Sequence, residues 1–226
     1  MIPIQNIYYM LSYAFQILNE QGYKNIATEQ FNNTAELMAA ILEKGIAIQL
    51  KRGLGKEYIP QTEALSSLRG KIDIAESIKT QSMLRKQLIC TYDEFSVNSI
   101  MNRIIKSTIE ILLRSNISKQ RKKNLRKLML YFSEVDFIDL YTVNWNVQYN
   151  RNNQTYRMLI SICYLVVKGL LQTQSDGSTK LMDFLDEQRM CRLYEKFILE
   201  YYRREFKNQI TANASQIPWQ LDNDEN

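Results

Sequence analysis

The stretch Met190–Lys207, MCRLYEKFILEYYRREFK, governs how the remainder of the chain is read. Apolar side chains recur at Met190, Leu193, Tyr194, Phe197, Ile198 and Tyr201, the i, i+3, i+4, i+7 spacing of a helix with one buried face. Arg192, Lys196, Arg203 and Lys207 fall on the other side, Glu195 on the border and Glu205 within the apolar stripe. A carboxylate on a buried stripe has to be paired, protonated or bound to a cation. Two readings fit. One is a core helix whose Glu205 meets an arginine; the other is a helix carrying an acidic group toward a metal or phosphate site.

The 226 residues suit one large domain or two small ones, with apolar content for a real core. Seven Gly and three Pro leave few designed turns, and abundant Leu, Ile, Glu, Lys, Arg and Gln favour helix. A formal charge of +5 and a pI near 9.0 permit nucleic-acid or acidic-protein partners without demanding them. Cys90, Cys163 and Cys191 are few, scattered and odd in number, which reads as reduced thiols, not a disulfide framework. Histidine is absent, so His-based triads, general bases and metal ligands are excluded. Any metal would be a hard cation on carboxylates. No secretory signal opens the chain, and the most apolar run, Met158–Leu171, is too short to span a bilayer and contains Lys168. A soluble, cytoplasmic protein is expected, with no membrane contact.

Helical spacing extends outward from the opening stretch. Ile7, Met10, Leu11, Ala14, Phe15 and Leu18 form one face of a first helix, with Asn6 as its expected N-cap. A second helix is expected from Asn33 or Thr34 to Leu50. Between Lys51 and Cys90, Gly53, Gly55, Pro60 and Gly70 punctuate short pieces that suit a small sheet, with a short helix near Ala75. Asp93–Arg114 contains the clearest helix start, capped by Ser96 or Asn98, with Ile100, Met101, Ile104, Ile105, Thr108, Ile111 and Leu112 along its face. Ile117–Phe132 reads as a basic helix with Leu125, Leu128, Met129 and Phe132 inside. Val143, Trp145, Val147 and Tyr149 alternate with polar residues, as in a half-buried strand or an extended segment docked on a core. The Asn-rich turn Asn150–Thr155 is the expected boundary, dividing 1–150 from 151–226, and a helix from Thr155 to Leu171 follows it. The expected fold is mainly α with a small β-sheet, an α+β arrangement.

Three constellations carry possible chemistry. Lys119, Arg121, Lys122, Lys123, Arg126 and Lys127 place six cations within nine residues, a candidate DNA-binding face or an ordinary solvated one. Arg52, Arg69 and Lys71 stand beside Gly53 and Gly70, where the backbone can approach an anion or present a charge to a partner; plain hairpin chemistry gives the same pattern. Neither fits a P-loop. Metal-dependent phosphodiester cleavage needs converging carboxylates with a D-x-K or E-x-K lysine. The chain has no D-x-K, and its one E-x-K, Glu205-Phe206-Lys207, lies within a helix that points the two charges to different faces.

Five blocks in order, IPIQNIYYMLSYAF (Ile2–Phe15), RGLGKEY (Arg52–Tyr58), LRGKID (Leu68–Asp73), YDEFSVNSIMNRIIKSTI (Tyr92–Ile109) and LYEKFILEYYRRE (Leu193–Glu205), resemble the McrC family. These are the nuclease and activator subunits of McrBC 5-methylcytosine restriction systems. The resemblance implies an amino-terminal region that binds a hexameric McrB-type AAA+ GTPase and stimulates it. It also implies a carboxy-terminal PD-(D/E)xK module that cuts DNA with Mg²⁺, GTP being held by the partner. LYEKF resembles the entrance helix of that module, with Glu195 as an accessory carboxylate. Residues 151–226 are then the first helices of an incomplete nuclease-like module. In the family the acidic and D-A-K motifs follow the stretch resembling Ala214–Asp222, and Asn226 comes before them. Either a truncated product or fragment is therefore expected, or a chain that works without cutting, with no cofactor of its own and no DNA cleavage alone. Partner contact is expected at Arg52, Arg69 and Lys71. A stand-alone basic DNA-binding or regulatory protein is the alternative.

Overall fold

The computed structural model describes residues 4–15, 18, 23–149, 153–173 and 187–214, excluding the side chains of 24, 27, 154, 170–173 and 187–193. Its elements are α1 (Ile4–Ala14), α2 (Lys24–Thr28), α3 (Thr34–Arg52), β1 (Glu57–Leu65), β2 (Lys71–Asp73), α4 (Ile74–Lys79), β3 (Leu88–Ser96), α5 (Ile100–Arg114), α6 (Lys119–Met129), α7 (Gln154–Thr173) and α8 (Glu187–Glu205). Short 3-10 turns at Ser82–Arg85 and Leu130–Phe132 complete it. The α+β expectation holds: helices build the body, and three antiparallel strands in the order β1-β3-β2 form one small sheet.

α3 is the central helix, buried nearly all round through Leu37, Met38, Ala40, Ile41, Leu42 and Ile46. Its start is fixed by Asn33, whose side-chain oxygen accepts from the Glu36 amide at 2.8 Å, and Glu36 complements the dipole of the first turn. α7 packs on α3 and α5. A Cβ at Gly45 would lie 2.5 Å from Leu159 Cδ2, so the Leu159 side chain of α7 packs directly against the bare glycine of α3. The first helix beyond the Asn-rich turn thus shares one core with the elements before it, through Tyr156, Leu159, Ile162, Cys163 and Val166. Burial pushes the Cys163 thiol up to about 12, which keeps it protonated and inert. α5 contributes Met101, Ile104, Ile105, Ile109 and Leu112, each worth roughly 2 kcal/mol of burial as an upper bound.

Several local expectations shift. Asn6 lies inside α1, whose helix already runs from Ile4. α5 is capped by Ser99, not Ser96 or Asn98; the Asn98 side chain instead donates to Asp136 Oδ2 and accepts from the Asp136 amide. Val143–Tyr149 alternates half-buried and exposed residues but pairs with no strand, so it is an extended segment docked on the core, with Trp145 edge-on to Tyr164 at 5.1 Å. α8 packs along α1. Phe197 meets the Tyr9 and Tyr13 rings at 5.8 and 5.5 Å, and Tyr201 meets Tyr13 at 5.6 Å. Among the described residues Glu205 meets no arginine; its carboxylate accepts the Tyr13 hydroxyl at 2.8 Å, at an exposed position. Lys196, expected on the outer side, is half-buried with its ammonium 4.2 Å from the centre of the Phe15 ring. Burial lowers its pKa. Among the described residues no helix is long and apolar enough to cross a membrane.

Candidate partner and nucleic-acid surfaces

The sheet stands off the helical body. Its strands pack on one another, on α4 and on the Ser82–Arg85 turn, and among the described residues no helix of the body packs extensively on it. The chain leaves α3 through Gly53–Gly55 and returns through Val97–Ser99, so the sheet has a narrow root. A buried polar hub ties that root down. Asn102, on the first turns of α5, donates to Gly55 O at 2.9 Å and Val97 O at 2.8 Å. Its Oδ1 accepts the Tyr156 hydroxyl at 2.7 Å, and that hydroxyl accepts the Gly55 amide at 2.8 Å. Gln49 donates to Gly53 O at 2.8 Å and accepts Thr155 at 2.7 Å. Asn102 and Tyr156 are almost fully buried, so these partners replace water that cannot reach them. Burial raises the Tyr156 pKa, which holds its hydroxyl in the donating form.

Further out, the register Tyr58↔Phe95 places two exposed rings side by side, 5.0 Å apart, with the Lys56 ammonium 5.7 Å from the Phe95 ring centre. Arg69 lies flat over Tyr92 at 4.0 Å, and Tyr92 in turn donates to Glu63. That carboxylate raises the Tyr92 pKa. Gly70 makes this arrangement possible. It has φ +69°, and a Cβ there would fall 2.3 Å from Thr91 O and 2.7 Å from Tyr92 Cβ. Gly70→Ala is therefore expected to cost about 2–3 kcal/mol and to unpair β2 from β3, read as faster amide exchange at Lys71–Asp73 with the helical body unchanged. Exchange protection equal to wild type would contradict this.

α4 and the following turn expose Ile74 (62%), Ile78 (62%), Met83 and Leu84 (81%). They rest on a tight inner seam in which Ser77 Oγ accepts the Ile89 amide at 2.7 Å over the buried Cys90. Of the three cations expected at this surface, Arg69 and Lys71 stand together at the middle of the sheet. Thr91, opposite Lys71, is five residues or roughly 16 Å of strand from the root pair Glu57↔Ser96, and Arg52 lies beyond that pair at the end of α3, so it does not join them. The apolar group was not singled out from sequence. Its signal was ESIKTQSML, where Ile78, Met83 and Leu84 have no repeat that buries them.

α6 divides its six candidate cations. Lys119, Lys123, Arg126 and Lys127 are exposed and Lys122 half-exposed. Arg121 points inward, against the expectation of a phosphate contact. It bridges Glu29 at 2.7 Å, Glu43 at 2.9 Å and Glu36 at 3.4 Å, with only 16% of its side chain exposed. Burial alone would lower its pKa; the hydrogen bond and charge of Glu43, then those of Glu29, outweigh this and raise it. Asn124 and Ser118 bind the remaining oxygens of Glu43 and Glu36. The sequence signal was the seven-residue spacing of Glu36 and Glu43, two helical turns apart on one side of α3, while Glu29 arrives from the end of α2.

Glu195 is exposed on α8. Among the described residues no three acidic or cysteine side chains converge as a metal site. The Mg²⁺ that the resemblance implies does not fit the described residues.

Residues 5–223 match the family described as McrBC 5-methylcytosine restriction system component. The chain belongs to that family. It is 30% identical over 221 residues, 96% of its length, to the type IV methyl-directed restriction enzyme EcoKMcrBC of Escherichia coli K12. It spans 63% of that McrBC relative. The fold is similar to a chain in the cryo-EM structure of the Thermococcus gammatolerans McrBC complex, with TM-score 0.58 and 22% identity over 89% of this chain and 58% of that one. A second similar chain comes from a half-complex of the tetradecameric assembly of McrB AAA+ hexamers with bound McrC of the same organism. Its TM-score is 0.55 and its identity 20%, over 90% of this chain and 48% of that one.

Proposed function

We propose that this chain is an McrC-like subunit that binds an McrB-type AAA+ GTPase hexamer through the small sheet and stimulates its GTP hydrolysis within a modified-cytosine DNA restriction system. The observation that carries the reading is the sheet itself, whose α4 and following turn expose Ile74, Ile78, Met83 and Leu84, with Arg69 and Lys71 on the same sheet and the exposed Tyr58–Phe95 ring pair nearer its root. Contiguous exposed apolar side chains rimmed by charge mark protein interfaces. The structural neighbour of McrB hexamers with bound McrC supports the choice of partner. Partner binding lies within residues 1–150, and α8 with Glu195 opens the nuclease-like part; in the complete system Mg²⁺ serves cleavage and GTP stays on the motor. Arg69 and Lys71 contribute to the interface, whereas Arg52 acts at the root.

The test mixes this chain with an McrB-type GTPase and measures GTP turnover. Wild type raises turnover, and Ile78→Ser with Leu84→Ser weakens the stimulating affinity about 30-fold or more while melting unchanged. Absence of both stimulation and co-elution for wild type contradicts the proposal.

A further inference from the structure

We propose that the outer face of α6 is a rail for the phosphate backbone of duplex DNA, formed by Lys119, Lys122, Lys123, Arg126 and Lys127 and excluding Arg121. On a helix of 100° per residue these five fall within an arc of about 140°, opposite Leu125 and Leu128. Lys119, Lys123 and Lys127 form one inclined row, rising about 6 Å and turning about 40° at each step. The helix brings no acid of its own to this face: residues 116–133 contain neither Asp nor Glu. The three glutamates of the neighbouring helices that could neutralise it are held by Arg121 on the inner side.

Folding does not favour this placement. The first turn of α6 has cations and no acid, against the helix dipole, while α3 and α4 put Glu36 and Glu76 at the matching place. The helix is nonetheless rigidly held, capped by Ser118, pinned by Arg121 and seated through Leu125 and Phe132. Because the apolar side of α6 faces the core, its exposed residues are cations and the neutral Gln120, as suits a polyanion. Arg and Lys at fixed intervals without base-reading geometry give sequence-independent contact.

The inference rests on the family reading only in naming DNA as the polyanion, and its DNA titration needs no motor, so it can fail while motor binding stands. The 226-residue chain is titrated onto a labelled 20-base-pair duplex of arbitrary sequence between 50 and 200 mM NaCl. Wild type binds with a steep salt dependence. The triple variant Lys119→Gln, Lys123→Gln, Lys127→Gln binds at least tenfold more weakly at the lowest salt, its log–log slope falling by about 2.7 in magnitude, with unchanged circular dichroism. Arg121→Lys leaves the slope as in wild type. Undetectable wild-type binding at 50 mM NaCl, or an unchanged slope in the triple variant, overturns the proposal. So does a triple variant that keeps DNA affinity but loses the GTPase, which would give the face to an acidic protein surface.

Discussion

Asn102→Ala is expected to destabilise the protein by roughly 4 kcal/mol, seen as a fall in melting temperature of roughly 10 °C and a matching shift in the urea midpoint. The substitution strands Gly55 O and Val97 O and removes the acceptor of the Tyr156 hydroxyl, all in a region that water does not reach. Stranding a buried polar group costs about 1–3 kcal/mol, and three are involved. Asn102→Asp, nearly the same shape, is expected to be no better, because it turns a carboxylate oxygen toward two carbonyls. Tyr156→Phe keeps the ring and is expected to lose about 1–2 kcal/mol. The Asn102 and Tyr156 losses should not add, since they share one bond. Amide exchange at residues 53–57 should rise in both variants before the core opens. A melting temperature within 2 °C of wild type for Asn102→Ala would contradict the hub.

Arg121→Ala is expected to cost about 3 kcal/mol and roughly 6–12 °C of melting temperature. Glu36 and Glu43, with 12% and 21% of their side chains exposed, would be left close together without their shared cation. Glu29 adds less, being 43% exposed and screened by solvent. Arg121→Lys should recover less than half of the loss, because one ammonium cannot present the separate nitrogens that meet three carboxylates. Thermal denaturation of the three proteins decides the matter. A change below 1 °C in Arg121→Ala would mean that the side chain belongs to the solvated face and not to the α2–α3–α6 junction.

These two residues mark the boundary of what was legible in the sequence. Periodicity identified α1, α3, α5, α6, α7 and α8 because apolar spacing depends only on which side faces the core. The glycines at 53, 55 and 70 announced the small sheet. Asn102 escaped notice because an amide within the face of α5 looks neutral until its distant partners, Gly55 and Tyr156, are known. Arg121 stood in a run of like charges, and only three-dimensional packing separates it from Lys122 and Lys123. Glu205 was recognised as needing a partner, yet the partner came from α1 as a tyrosine, since α8 lies along a helix that carries three tyrosines in six residues. The exposed apolar group of α4 and its following turn was least visible, because surface exposure of Ile78 and Leu84 follows from what the sheet lacks as a neighbour.

The central claim is that the sheet meets the motor. Hydrogen–deuterium exchange of this chain, alone and mixed with the nucleotide-loaded GTPase, tests it most directly. The account predicts slowed exchange across residues 57–96, strongest at Ile74–Leu84, with α5 and α7 unchanged. Protection confined to α6 or α8, with residues 57–96 exchanging as they do alone, would contradict it.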